Sequence, residues 1–254
     1  MTTDIDLSAD LGESFGHYRI GNDEALFEVI SSANIACGFH AGDPRVMEQS
    51  VAKCVDRGVA IGAHPGFPDI VGFGRRAMDL SPDEVRTDVL YQIGALHGFA
   101  RAVGSRVTHV SPHGKLGNMV VDDRRYADAV SEAVTAFDPE LMVYTYEGAL
   151  ADASRRRGLR VIIIGFADRA YRDDGTLVPR SEPNALITQP DEVVSRVITM
   201  LTQGLVTSAS GTAIPIKCQS ILLHGDTPGS VDLGNKIRSA LADAGIRVRA
   251  PSVA

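Results

Sequence analysis

The sequence predicts a seven-stranded parallel (β/α) barrel that spans residues 1–254 as a single domain. Seven short apolar segments alternate with helical segments along the chain, and this alternation predicts a parallel sheet with right-handed crossovers. A length of 254 residues suits one barrel, and neither a linker nor a shift in composition divides it. An open, doubly wound sheet is the competing architecture because it shows the same alternation.

The strands are predicted from short runs of β-branched and other apolar residues, each of which gives way to glycine, proline or polar residues. The first covers residues 5–11, and the second begins at residue 33 and breaks at Gly38. The other five are predicted at residues 59–63, 106–110, 140–146, 160–165 and 220–223.

The helices are predicted from apolar residues at helical spacing and from their end signals. Asp43 before Pro44 indicates an N-cap followed by proline at the first helical position. Ser81 and Glu84 have the spacing of a capping box. The helices are expected to start at residue 23 and to cover 44–57, 82–103, 122–137, 148–157, 190–201 and 231–244.

Composition excludes several classes of function. The net charge is -7, and nucleic acids and anionic membranes both favour basic surfaces, so neither is an expected partner. No apolar run reaches the roughly 20 residues of a membrane span, and the acidic N-terminus does not resemble a signal peptide. Three cysteines without paired spacing argue against a disulfide framework or a structural zinc site. These features predict a reduced, cytoplasmic protein.

Each predicted strand ends in polar side chains, and four of the seven histidines fall at such ends. Because the carboxyl ends of parallel strands share one face of a barrel, these side chains are expected to form one site. Asp43 is better explained as the N-cap, and His17, His97 and His109 lie off the pattern. In chain order the strand ends supply Asp10 with Glu13, His40 with Asp43, His64, His113 with Lys115, Tyr146 with Glu147, Asp168 with Arg169, and His224 with Asp226.

Histidines beside carboxylates suit proton transfer near neutral pH, and they also suit a divalent metal ion. The residue pattern leaves a bound metal open. No phosphate-binding glycine loop of the G-x-x-x-x-G-K-[ST] type is evident. Arg75, Arg169 and Arg180 are candidates for gripping a carboxylate or a phosphate.

The strand-end motifs resemble those of the LamB/YcsF lactam-utilisation family, and the resemblance covers essentially the whole chain. The run from Ala33 to Pro44 is the most specific motif. The others are Asp10-Leu11-Gly12-Glu13, Ile61-Gly62-Ala63-His64-Pro65, Phe73-Gly74-Arg75, Tyr91-Gln92-Ile93-Gly94-Ala95-Leu96, Pro112-His113-Gly114, Phe166-Ala167-Asp168-Arg169, Leu177-Val178-Pro179-Arg180 and Leu223-His224-Gly225-Asp226.

The resemblance implies a barrel related to the glycoside hydrolase and deacetylase barrels, and an ATP-hydrolysing 5-oxoprolinase component that converts 5-oxo-L-proline to L-glutamate. ATP, with Mg²⁺, is the implied cofactor. The implied partners are 5-oxoproline or a related lactam and two further oxoprolinase subunits (B and C); self-association stays open. We expect catalysis from Asp10, His40, His64 and His113, with Asp10 or His113 as the proton-transfer group. The expected substrate- or phosphate-binding residues are Glu13, Asn34, Arg75, Asp168, Arg169, Arg180, His224 and Asp226.

One segment departs from the family pattern. Ser111 and Gly117 stand where the family usually has lysine and tyrosine, and Lys115 lies nearby. Two alternatives stay open. Asp10, His40, His64 and His113 also suit a metal-dependent amidohydrolase or deacetylase, and the change at Ser111 and Gly117 suits a lactam-binding protein without catalysis.

Overall fold

The computed structural model describes residues 4–180, 182–223 and 229–252. Seven parallel strands form the barrel, which closes because β1 pairs with both β2 and β9, and the short β10 also pairs in parallel with β1. The predicted barrel is confirmed, and the β1–β9 pairing rules out the open sheet. The strands are β1 (Asp4–Leu11), β2 (Ser32–Ala36), β3 (Ala60–His64), β4 (Val107–Val110), β5 (Met142–Thr145), β6 (Val161–Phe166), β7 (Leu205–Thr207), β8 (Ala213–Pro215), β9 (Ser220–Leu223) and β10 (Arg247–Val248).

Helices cover the outside of the barrel, and their end signals behave as predicted. The Asp43 carboxylate accepts from the backbone N–H groups of Arg45 and Val46, and Ser81 forms the capping box with Glu84. None of the helices among the described residues is long and apolar enough to cross a membrane. The helices are α1 (Asp23–Leu26), α2 (Pro44–Arg57), α3 (Pro82–Ala102), α4 (Gly114–Asp122), α5 (Arg124–Phe137), α6 (Ala149–Arg156), α7 (Pro190–Gln203) and α8 (Ser230–Asp243).

Helix α4 and the strands β7, β8 and β10 were not predicted. Helix α4 begins at Gly114, directly after a strand-end histidine, where two glycines within four residues conceal a helical pattern. The segment after α7 forms an antiparallel hairpin of β7 and β8 outside the barrel.

The barrel interior is polar, in contrast to the apolar layers that usually fill such barrels. Alternate residues of a strand face opposite sides, and Asp6, Ser8 and Asp10 of β1 face inward. The buried Asp6 carboxylate accepts hydrogen bonds from Ser32 at 2.7 Å and Ser220 at 2.6 Å. Burial raises the pKa of Asp6. The apolar core lies between the strands and the helices and includes Leu7, Ile35, Val89, Ile93 and Leu96.

Candidate active site

Three of the predicted histidines come together at the carboxyl ends of the strands. His40 lies in the loop after β2, His64 is the last residue of β3, and His113 immediately precedes α4. Asp10 near the end of β1 and Glu13 in the following loop lie against them. His224 and Asp226 fall outside the described residues.

The five side chains form a compact histidine–carboxylate cluster. His113 Nδ1 lies 2.9 Å from His64 Nε2 and 3.4 Å from Glu13 Oε1. Glu13 Oε1 is also 3.5 Å from His40 Nε2, and Asp10 Oδ1 is 3.5 Å from His64 Nε2. Donor atoms of Glu13, His40, His64 and His113 all lie within 4.8 Å of one another, so this cluster could hold a metal ion.

Backbone carbonyls fix the orientation of two of the imidazoles. His64 Nδ1 donates to the carbonyl of Ser111 at 2.6 Å, and His113 Nε2 donates to the carbonyl of Phe73 at 2.8 Å. Phe73 adopts a φ of 55°, which is uncommon for a residue with a side chain. This strained backbone directs the Phe73 carbonyl toward His113. Backbone strain of this kind is common at functional sites.

His40 lies behind the other two rings, shielded from solvent. Its ring stacks on that of His113, with 3.7 Å between centroids and 3° between planes. A Cβ on Gly74 would lie 2.8 Å from His40 Cβ and 2.9 Å from His113 Cδ2, so this position needs glycine. Burial, His64 and Arg75 hold the pKa of His40 well below its usual range, and burial with the neighbouring histidines does the same for the pKa of His113.

His109 lies a layer below the cluster and contacts it through Asn34. The sequence pattern did not predict this contact. Asp10, Asn34, Gly62 and His109 occupy neighbouring register positions on β1 to β4. Asn34 Nδ2 donates to Asp10 Oδ1 at 2.9 Å, and Asn34 Oδ1 lies 3.0 Å from His109 Nε2. Asn34 was expected to bind substrate or phosphate. It is instead fully buried beside Asp10 and does not line the cavity described below.

The ring of His109 needs the space that Gly62 leaves. A Cβ on Gly62 would lie 2.0 Å from His109 Nε2. Burial lowers the pKa of His109 to about 3, so this ring is neutral at physiological pH. One sequence signal could have predicted the role of His109. It is a histidine within a strand that pairs with a glycine on the neighbouring strand.

The histidine–carboxylate cluster opens into a cavity of about 700 Å³ at the barrel mouth. Arg75, Arg169 and Arg180 line this cavity together with Asp10, His64 and His113. Lys115, Ser111 and Gly117 also line it. The cavity is therefore lined by cationic side chains as well as by a carboxylate and imidazoles.

Arg169 is buried and held by the chain itself. Its Nη2 donates to the carbonyl of Val178 at 2.7 Å and its Nε to that of Ala185 at 3.4 Å. Burial and the positive charge of Arg180 lower the pKa of Arg169, whereas Asp168 opposes that shift. Arg75 lies over the Phe73 ring, 4.8 Å from its centroid. The positive charges of Arg169 and Arg180 repel each other, and an anion bound beside them would relieve that repulsion.

Fold and site together define an α/β-barrel protein with a buried histidine–carboxylate cluster at the carboxyl ends of its strands. The sequence profile of the LamB/YcsF family matches residues 5–254. The chain belongs to the LamB/YcsF family.

Relatives with similar sequences cover nearly the full chain. The 5-oxoprolinase A subunit of Methylococcus capsulatus is 52% identical over 251 residues, which are 98% of this chain and 96% of that protein. The 5-oxoprolinase A subunit of Bacillus subtilis is 49% identical over 249 residues, 98% of this chain and 97% of that protein.

Solved structures agree with the fold. A lactam utilization protein from Thermus thermophilus superimposes with a TM-score of 0.94 at 44% identity, covering 98% of this chain and 100% of that one. A family 4 carbohydrate esterase from Streptomyces lividans, solved with acetate, has a TM-score of 0.50 at 14% identity, covering 98% and 93%. The second likeness concerns the fold alone.

Proposed function

We propose that this chain is the A subunit of an ATP-dependent 5-oxoprolinase. The reaction converts 5-oxo-L-proline, ATP and two waters into L-glutamate, ADP and phosphate. The observation that carries the proposal is the carboxylate–imidazole cluster at the floor of an arginine-lined cavity. The names of relatives at about 50% identity support the choice of substrate.

The chemistry explains why ATP is needed. The lactam amide is stabilised by resonance, and its five-membered ring closes again easily. Phosphorylation of the amide oxygen would convert it into a leaving group, and water would then attack the activated carbon. Proton transfer in such a step suits a carboxylate or an imidazole beside the reacting atoms.

Asp10 is the best placed proton-transfer group of the chain. It lines the cavity, and its Oδ1 lies close to both the Asn34 amide and His64. Both ring nitrogens of His113, in contrast, already have close neighbours in Phe73 and His64. We therefore assign proton transfer to Asp10 and its orientation to Asn34 and His64.

The arginines supply the complementary charge. 5-Oxoproline carries one carboxylate, and the phosphorylated intermediate carries more negative charge. Arg169 and Arg180 lie close enough for their charges to interact, and both line the cavity together with Arg75. We assign these three side chains to the substrate carboxylate and the phosphoryl group.

The same proposal covers partners and compartment. The chain would work as a single domain with the B and C subunits, and ATP with Mg²⁺ would be a substrate of the complete enzyme. Burial raises the pKa of the Cys37 and Cys54 thiols to about 12, and such unreactive free thiols suit a reducing cytoplasm.

A reconstituted assay tests this function. The purified chain, the B and C subunits, 5-oxoproline and ATP should release glutamate and ADP in equal amounts. The chain alone should be nearly inactive, and Asp10→Asn should abolish turnover without changing the circular dichroism spectrum. Glutamate release without ATP consumption would favour an amidohydrolase, the candidate suggested by the possible metal site. Lactam binding without turnover would favour a non-catalytic binding protein.

A further inference from the structure

Two buried imidazoles face each other through nitrogens that both carry lone pairs. A carbonyl oxygen only accepts, so His64 Nδ1 carries the hydrogen that bonds Ser111, and His113 Nε2 carries the hydrogen that bonds Phe73. A neutral imidazole has one N–H, and the remaining nitrogens, His64 Nε2 and His113 Nδ1, therefore have none. These two nitrogens lie 2.9 Å apart, so two acceptors meet at hydrogen-bond distance.

A positive ion between the nitrogens would resolve this conflict. Two carboxylate oxygens lie close to the same nitrogens: Glu13 Oε1 at 3.4 Å from His113 Nδ1 and Asp10 Oδ1 at 3.5 Å from His64 Nε2. The four donor atoms thus bring two imidazoles and two carboxylates together. A proton would join only the two nitrogens, whereas a metal ion also takes carboxylate oxygens as ligands.

Metal geometry fits the observed spacings. Nitrogens each about 2.1 Å from one ion lie about 3.0–3.4 Å apart at octahedral to tetrahedral angles. The His64–His113 spacing of 2.9 Å agrees with the smaller of these values. Mixed imidazole and carboxylate donors are typical of zinc and neighbouring first-row divalent ions.

The stacking of His40 excludes it as a direct ligand. Its ring is parallel to that of His113 and 3.7 Å away, so an ion in the plane of one ring lies outside the plane of the other. His40 Nε2 instead lies 3.5 Å from Glu13 Oε1. A metal-ligating carboxylate is commonly oriented by a second group of this kind.

We propose that the chain binds one divalent transition-metal ion through His64 Nε2, His113 Nδ1 and a Glu13 carboxylate oxygen, with Asp10 beside the ion on the cavity side and His40 orienting Glu13. Such an ion supplies Lewis-acid chemistry to a carbonyl or a water at the site. The metal site goes beyond the ATP-coupled reaction proposed above, and its test needs neither ATP nor the partner subunits.

The experiment measures metal binding to the isolated, chelator-treated full chain. Zn²⁺ is titrated by calorimetry, and Co²⁺ is followed through its visible absorption, which reports the coordination number of the bound ion. The wild type is compared with His64→Ala, His113→Ala, Glu13→Gln and His40→Phe. His17→Asn, at an exposed loop position outside the cluster, is the matched control. Circular dichroism confirms that each variant is folded.

We expect one equivalent of Zn²⁺ per chain, and a loss of affinity of at least about 100-fold in His64→Ala and His113→Ala. His40→Phe keeps the ring stacking and should lose only about tenfold. Equal losses in His40→Phe and His64→Ala would overturn the ligand assignment, as would a loss in the control.

If the histidine variants fail to fold, nitrogen NMR of the wild type decides the question. The proposal requires that the resonances of His64 Nε2 and His113 Nδ1 move when Zn²⁺ is added. A doubly protonated imidazole that persists in the presence of Zn²⁺ would show that a proton occupies the position and would overturn the metal site.

Discussion

The side-chain amide of Asn34 joins Asp10 to His109. Its Nδ2 donates to Asp10 Oδ1 at 2.9 Å, and its Oδ1 lies 3.0 Å from His109 Nε2. His109 in turn lies 2.9 Å from the hydroxyl of Thr108 through Nδ1. The carboxylate at the floor of the cavity is therefore oriented from below by a chain of buried polar groups.

Replacing Asn34 with leucine, which removes both polar atoms of the amide, should lower kcat by about 10- to 100-fold. Asp10 would lose a donor, and His109 would lose its partner in the barrel interior. KM should change little, because Asn34 does not line the cavity. Steady-state kinetics of the reconstituted complex measure both constants. His97→Gln, on α3 away from the cluster, is the control, and a folded Asn34→Leu enzyme with wild-type kcat would refute the orienting role.

Gly62→Ala should displace His109 and destabilise the protein. The added Cβ would lie 2.0 Å from His109 Nε2, and overpacking of this kind costs about 1–3 kcal/mol. Urea unfolding monitored by circular dichroism gives the free energy of unfolding. Gly98→Ala, on α3 with no heavy atom near the new Cβ, should instead leave stability unchanged or raise it by up to about 1 kcal/mol. If both variants unfold at the same urea concentration, the contact with His109 is not the constraint.

Arg180→Ala should weaken substrate binding with little effect on the fold. Arg180 is exposed and lines the cavity, and one charged hydrogen bond to an anion is worth about 1.5–3 kcal/mol. We therefore expect KM to rise at least about tenfold, with an unchanged melting temperature. The same kinetics on Arg249→Ala, whose side chain is exposed after β10, provide the comparison. A KM equal to that of wild type would remove Arg180 from the binding residues.

Asp43→Ala should destabilise the protein in a pH-dependent way. The carboxylate caps α2 and also accepts from the Gly16 N–H at 2.7 Å, and that bond is the main cause of its lowered pKa. Losing the cap should cost about 1 kcal/mol at pH 7.

The sign of the pH effect follows from the lowered pKa. The stabilisation by Asp43 is complete above the unfolded-state pKa of about 3.9 and is lost as the pH falls through the lower folded-state value. The difference between wild type and Asp43→Ala should therefore shrink below about pH 4. Urea unfolding at neutral and acid pH measures it, with the exposed helical substitution Asp56→Ala as the control. A difference that is constant with pH would contradict the cap.

The fold of this protein was predictable because its signals are local. Strand runs, helical spacing and cap residues such as Asp43 and Ser81 act within a few positions of the chain, and the structure has those elements where the sequence indicated them. Helix α4 was not predicted because Gly114 and Gly117 are poor helix formers. Contacts with the rest of the barrel therefore decide the conformation of this segment.

The sequence by itself determined which residue types reach the barrel mouth, because every parallel strand delivers its carboxyl end to that face. Only the tertiary structure decided how they meet. The register of β1 to β4 places His109 beneath Asp10, and the carbonyls of Ser111 and Phe73 select which imidazole nitrogens face one another. Those contacts join residues far apart in the chain, and no local pattern encodes the ångström-scale distances on which hydrogen bonding and metal binding depend.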